Sequence, residues 1–199
     1  MTSPKKIKRC PWPGEEDSLM ITYHDKEWGK PVRDDRKIFE FLVLESFQAG
    51  LSWRIVLHKR ENFRKAFSQF DYRKVARFTA KDKARLVKDA GIVRNRLKID
   101  STVTNARAFL EVQREFGSFD QYLWSFVNRR PVINAPTAGS GVPTRTELSD
   151  RISKDLKKRG FRFVGTTILY AYLQAVGVVN DHSRDCFLYR PAEPARSGS

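Results

Sequence analysis

Between residues 34 and 50 the apolar positions recur with helical spacing: Ile38, Phe41, Leu42 and Glu45 share one face at three- and four-residue intervals, and Gly50 closes the segment. The same period returns at 60–68, 81–89, 94–115, 118–127, 147–158 and 166–176. Several of these segments carry terminal signals. Ser118 followed by Gln121 has the form of a capping box, Lys157, Lys158 and Arg159 precede Gly160, and Thr166 opens the last apolar run. Period-two alternation is confined to the short run 161–164, and no internal repeat is present. The pattern therefore predicts an all-α chain. A stretch at 129–146 holding Pro131, Pro136, Gly139, Gly141 and Pro143 interrupts the series and reads as a long loop, either meeting a ligand or serving as a plain surface connection.

With 199 residues, 40% of them apolar and 12% aromatic, the chain can bury one sizeable core. A single domain is expected at 9–190, with a loose basic N-terminus at 1–8 and a disordered tail, rich in Pro, Ala, Gly and Ser, at 191–199. Lys and Arg number 38 against 23 Asp and Glu, a formal charge of +15, which favours a polyanionic partner: nucleic acid first, an anionic membrane second. No run approaches the roughly 18 apolar residues of a membrane span, and the first nine residues lack a signal-peptide core, so a soluble, intracellular chain with no membrane partner is expected. No heptad pattern argues for assembly, so a monomer is expected. Charge alone does not separate an enzyme from a structural binder.

The site residues must decide that. Glu45 interrupts an otherwise apolar helical face, so its carboxylate is expected to be buried. Burying an unpaired charge is costly, and the group requires a hydrogen-bonding or cationic partner, or a ligand of opposite charge. A salt bridge to one of the many Arg or Lys residues is the bland solution; recognition of a ligand is the other. Trp12, Tyr23 and Trp28 precede Glu45 and Trp53 follows it. Most tryptophans are simply core, whereas several rings near one carboxylate also suit a flipped base, which needs flat faces to stack on and a few polar groups at its edge.

Cys10, His24, His182 and Cys186 offer two sulfurs and two imidazoles, the donor set of tetrahedral zinc. Four protein ligands would make such an ion structural, fastening the chain ends. Buried thiols with incidental histidines satisfy the spacing equally, and a disulfide is not expected in a reducing cytosol. His58, within Leu57-His58-Lys59-Arg60, reads as a solvated helix face. Residues 86–96 read as helix, turn around Gly91, and helix, with Arg94, Arg96 and Lys98 adding charge. This is either a helix-hairpin-helix whose amides hold a DNA phosphate or an ordinary helical hairpin.

Longer runs carry a resemblance: Arg9-Cys10-Pro11-Trp12, Tyr23-His24-Asp25-Lys26-Glu27-Trp28-Gly29, 44–53 (Leu44 to Trp53), Asp89-Ala90-Gly91-Ile92, Lys157-Lys158-Arg159-Gly160-Phe161, Phe163-Val164-Gly165-Thr166-Thr167 and Val179-Asn180-Asp181-His182. Over residues 9–190 the chain resembles the bacterial DNA-3-methyladenine glycosylase I family, a branch of the helix-hairpin-helix DNA glycosylases. The resemblance implies that Glu45 is the catalytic residue that recognises the damaged base, that Tyr23 and Trp53 stack on it, and that Trp12 and Trp28 wall the pocket. It implies structural zinc on Cys10, His24, His182 and Cys186, with no catalytic cofactor. It implies DNA contacts at the hairpin (Gly91, Arg94, Arg96) and at Leu51, an apolar wedge for the gap left by a flipped nucleotide. Ser46 and Phe47 stand where family members often have Gly and a small or polar residue, and Met20 where a pocket tyrosine can occur.

The implied reaction is hydrolytic excision of 3-methyladenine from double-stranded DNA containing alkylated purines, in a bacterial cytoplasm and on nucleoid DNA, leaving an abasic site. The region 161–167 holds no aspartate of the kind that activates water in many related glycosylases, and no lysine stands out as a nucleophile. A monofunctional enzyme is expected. The rivals are a non-catalytic DNA binder on the same fold, a glycosylase of shifted purine specificity, and a zinc hydrolase, the last disfavoured because four protein ligands leave no open position.

Overall fold

A computed structural model describes residues 7–137 and 141–191. Residues 192–199 of the tail expected at 191–199, most of the loose N-terminus and Gly139 of the long loop lie outside the described residues. The elements run α1 (Ser18–Lys26), α2 (Asp35–Gln48), α3 (Trp53–His58), α4 (Arg60–Ala66), a 3₁₀ turn (Ser68–Phe70), α5 (Tyr72–Val75), α6 (Ala80–Lys88), α7 (Arg96–Phe116), α8 (Phe119–Ser125), β1 (Val132–Ile133), α9 (Glu147–Lys158), α10 (Thr166–Ala175) and β2 (Val179–Asn180).

Helix α2 is the axis of the molecule. Every residue from Ile38 to Phe47 is buried, not only the face that the spacing singles out, because α3, α7, α8 and α10 all pack on it. A helix apolar on all sides finds water on none. Rings close the spaces between helices: Phe39 meets Phe109 at 5.3 Å, Phe109 stacks on Phe119 at 4.0 Å, and Phe47 meets Phe63 at 4.7 Å between centroids.

One charged group on α2 is fully paired. Glu40 accepts from Arg60 Nε at 2.7 Å and from Arg64 Nε at 2.9 Å, while the two Nη atoms of Arg60 fork onto Glu27 at 2.8 and 2.9 Å. Burial alone would raise the Glu27 carboxyl, yet Arg60 and Lys37 outweigh it and hold it at about 2. The network ties the end of α1 to α2 and α4.

Helix starts follow the side chains. Asp17, Asp34, Ser52, Asn95 and Ser118 each accept from a first-turn amide, and Thr79 and Thr146 form reciprocal capping boxes. Ser118 accepts from Gln121 N at 3.0 Å, one arm of the expected box. The last helix begins at Thr166, where the expected range 166–176 begins, but Gly165 is the N-cap and Thr166 lies inside the helix.

Two expectations are corrected. The run 161–164 is not a strand; Phe161 and Val164 are anchored in the core while Phe163 takes a left-handed φ of 54°, which no strand accommodates. The extended pairing is instead two residues long and parallel, Val132 with Val179 and Ile133 with Asn180, and it lies partly inside the predicted loop. The short helices α3 and α5 have too few turns to declare a period, and α1 buries only Met20, Tyr23 and His24 of its nine residues.

Gly177 shows how tightly the chain is wound beside β2. Its φ is +69°, and a Cβ there would lie 2.1 Å from the backbone carbon of Lys30. Gly177→Ala should therefore lower unfolding stability by roughly 3–5 kcal/mol, read as a lower urea midpoint at unchanged slope.

Candidate functional site

A cavity of about 510 Å³ opens between the N-terminal segment, α1, α2, α3, α10 and the long loop. Trp12, Tyr23, Trp28 and Trp53 line it together with Glu45, so all five pocket residues expected from the sequence come together. Tyr23 lies 5.0 Å from Trp53 and 6.0 Å from Trp12, and Trp12 lies 5.1 Å from Trp28, centroid to centroid. Pro136, Thr137 and 141–144 line the opposite side. The loop at 129–146 thus walls the cavity and is more than a surface connection.

Glu45 sits in this cavity with 3% of its surface exposed, and Oε2 has no hydrogen-bonding partner. The salt bridge that would have been its ordinary explanation does not form among the described residues. Burial without compensation pushes its carboxyl up to about 8. Two further cavity atoms, the indole nitrogens of Trp12 and Trp53, are also buried without a partner. Unsatisfied polar atoms are rare in folded interiors, and three gathered round one cavity mark a place that a ligand completes.

Sequence reasoning missed other cavity residues. Tyr170 and Gln174, one turn apart on α10, donate to Asp181 Oδ2 at 2.7 and 2.6 Å, and Asn134 donates to Oδ1 at 2.7 Å. Asp181 is therefore a satisfied carboxylate that pins loop, helix and β2 together. The four-residue spacing on α10 was visible, but nothing in it pointed at a carboxylate six residues beyond the helix. Ser46, Phe47 and Met20 do not line the cavity: Ser46 donates to Leu42 O at 2.7 Å, and the other two are core.

The chain ends meet beside the cavity. The donor atoms of Cys10, His24, His182 and Cys186 lie within 4.8 Å of one another, and all four residues are buried, an arrangement able to hold a metal ion. Each imidazole is held by its other nitrogen, His24 Nδ1 at 2.7 Å from Asp25 Oδ1 and His182 Nε2 at 3.2 Å from Trp28 O. Arg9 in turn donates to Asp25 at 2.7 Å. Burial pushes the Cys10 thiol up to about 11 and the His182 imidazole down to about 4, toward neutral forms from which a cation can displace the thiol proton.

The hairpin residues do not line the cavity. Arg94 and Arg96 are exposed, and the Gly91 N–H is already donated to Asp89 Oδ1 at 2.8 Å, so the Gly91 amide serves the turn itself. Lys98 departs from its expected place among the exposed charges. It is 6% exposed, and its Nζ donates to Phe47 O at 2.8 Å and Ala49 O at 2.5 Å, the carbonyls at the end of α2. His58 is on the surface as expected, but Asp17 Oδ2 holds it at 2.8 Å. Leu51 is 37% exposed at the turn that follows α2.

The model of the methyladenine glycosylase family matches residues 12–189. The chain belongs to that family. It is accordingly a glycosylase enzyme. A DNA-3-methyladenine glycosylase 1 of Escherichia coli is 50% identical over 188 residues, 94% of this chain and 100% of that protein. A DNA-3-methyladenine glycosylase of Haemophilus influenzae is 49% identical over 178 residues, 89% and 96% of the two chains. Among solved structures, one of 3-methyladenine DNA glycosylase I superposes with a TM-score of 0.88 at 48% identity, covering 92% of this chain and 100% of that one. A variant of 3-methyladenine DNA glycosylase I in complex with 3-methyladenine gives 0.86 at 37%, covering 89% and 95%. No described helix of the glycosylase is long and apolar enough to cross a membrane.

The buried carboxyl makes a stability prediction with a definite sign. Its folded value of about 8 lies above the ordinary 4.5, so the folded glycosylase is not penalised below about pH 4.5 and loses stability as the pH rises toward 8. Glu45→Gln should flatten that slope and be the more stable protein at pH 8, by up to roughly 5 kcal/mol at 1.36 kcal/mol per pKa unit. Urea unfolding of both proteins at pH 5 and pH 8 checks it; equal pH slopes would refute the unpaired buried carboxyl.

Proposed function

We propose that the protein is a monofunctional glycosylase that takes 3-methyladenine, or a closely related alkylated purine, out of double-stranded DNA and into the Glu45 cavity, and hydrolyses the glycosidic bond. The observation that carries this reading is a buried, unpartnered carboxyl among aromatic rings. At neutral pH a group titrating near 8 is largely protonated in the empty cavity. A purine alkylated at N3 brings the positive charge that the carboxylate lacks, and the site exchanges a proton for a cation; neutral adenine offers nothing in return. The damaged bond is already weak. As it breaks, its electron pair stays with the base, which leaves neutral, and positive charge moves to the sugar, where the Glu45 carboxylate and the DNA phosphates oppose it. Water adds to the sugar and an abasic site remains.

Leu51, on the turn after α2, is the proposed wedge, Arg94 and Arg96 are the proposed phosphate contacts, and Gly91 belongs to the hairpin turn that presents them. The +15 chain is expected to act as a single-domain monomer on DNA in a bacterial cytoplasm. The Cys/His cluster fits zinc: with bonds of about 2.3 Å to sulfur and 2.0–2.1 Å to nitrogen, a tetrahedron has sulfur–nitrogen edges of roughly 3.6 Å. The contacts of Cys186 Sγ with His24 Nε2 and His182 Nδ1 are 3.5 and 3.6 Å, and Cys10 Sγ lies 3.6 Å from His182 Nδ1. Zinc there would supply a structural clasp, and the second hydrogen bond of each imidazole is of the kind that orients metal ligands.

The test is base release from methylated duplex DNA, with the freed purines separated and the strand inspected before alkali. Free 3-methyladenine and an intact abasic strand are expected; another purine would move the specificity, and folded, DNA-binding protein that releases nothing would make the chain a binder. Glu45→Gln should keep its affinity for duplex DNA and lose excision by roughly 100-fold or more. Cys186→Ser should lose most bound zinc in metal analysis and about 10 °C in Tm, while single-turnover excision by the folded fraction falls far less. Full stability without metal in the parent protein would remove the clasp.

A further inference from the structure

Residues 48–51 form a type II turn. Leu51 N donates to Gln48 O at 2.6 Å, Ala49 takes φ −47° and ψ 115°, and Gly50 takes φ +77°, the left-handed position that favours glycine. Types I and II differ chiefly in a flip of the central peptide, whose carbonyl here belongs to Ala49. That carbonyl receives the Lys98 ammonium at 2.5 Å, and Phe47 O, in the last turn of α2, receives it at 2.8 Å. Lys98 stands in the first turn of α7, where its own N–H donates to the Asn95 cap at 3.1 Å, directly after the exposed Arg94, Arg96 and Leu97.

We propose that Lys98 is a positioning residue for excision: it locks the central peptide of the 48–51 turn, and so the direction of Leu51, to the hairpin that approaches DNA. A cation on the C-terminal carbonyls of α2 is well placed electrostatically, since those carbonyls have no partner within the helix. Its two acceptors belong to the helix that carries Glu45 and to the turn that carries Leu51. The hairpin, the wedge and the base-reading carboxyl are thereby held in one register. The inference rests on the glycosylase reading above and extends it to a residue outside the cavity.

Lys98→Met keeps most of the aliphatic stem and removes the ammonium. Binding to undamaged duplex, and binding of free 3-methyladenine followed by tryptophan fluorescence, should each stay within about two-fold of the parent. Single-turnover release from methylated duplex should fall at least ten-fold, and Lys98→Arg should recover most of it. In a Leu51→Ala background, itself slow, the same substitution should cost less than a further two-fold, because both act through one turn. If Lys98→Met does not fold, Lys98→Gln takes its place under the same criteria.

Unchanged excision by the folded variant would overturn the proposal. So would losses at Lys98 and Leu51 that multiply, a fully active Leu51→Ala, or free-base binding that falls in step with excision. A parent protein that releases no base would instead defeat the glycosylase reading, an outcome visible before any variant is made.

Discussion

Two carboxylates five residues apart on one buried helix are treated in opposite ways, and the molecule is organised around that difference. Glu40 is enclosed by Arg60 and Arg64, and its pKa is lowered. Glu45 is enclosed by rings and receives nothing. A chain with 38 basic residues has no shortage of partners for it. The nearest buried ammonium along this end of α2, Lys98, is committed to backbone carbonyls. Leaving one acid unpaired within a well-paired interior lowers the stability of the free protein, and it is a cost of the kind that active sites carry and surrounding structure offsets.

The rings that enclose Glu45 are set by the same chain segments that gather the Cys/His cluster. Cys10 is two residues before Trp12, Tyr23 is next to His24, and the Trp28 carbonyl accepts from His182. Closing the cluster therefore fixes three walls of the cavity at once. Loop residues supply the remaining wall, and Asp181, adjacent to His182, fastens the loop through Asn134. The cluster at the chain ends and the walls of the cavity are in this sense built from the same segments.

The sequence made α2, α7, α9 and α10 legible because each is long enough to show several turns of apolar spacing, and their caps agree with the pattern. It also made Glu45 conspicuous, since a lone acid in an apolar run is a physical contradiction that demands an answer. Which answer applies was not legible. Whether an arginine reaches a buried acid depends on the relative placement of α1, α2 and α4, and Arg60 in fact serves Glu40 and Glu27. Lys98 failed as a surface charge for the same reason: neighbours in sequence, Arg96 and Leu97, are exposed, and only the tertiary approach of α7 to the end of α2 turns the next side chain inward. The strand pattern at 161–164 was misleading because the alternation in sequence is not an alternation in burial: the two buried side chains, Phe161 and Val164, are three residues apart and pin an irregular segment.

The surplus of positive charge and the buried acid reinforce one another. A basic surface draws the protein onto DNA irrespective of sequence. Once there, the phosphates impose a negative potential, which disfavours ionisation of any nearby carboxyl and so moves Glu45 further toward its neutral form. On the proposed reading, an enzyme on undamaged duplex then carries a neutral Glu45 and suffers no repulsion between that acid and the backbone. A base that arrives with its own positive charge would reverse the balance, because it would compensate the carboxylate at contact distance, where the low-dielectric surroundings make the interaction strongest. On that reading, discrimination resides in a charge that the site does not possess until a cationic base gives the reason to form it.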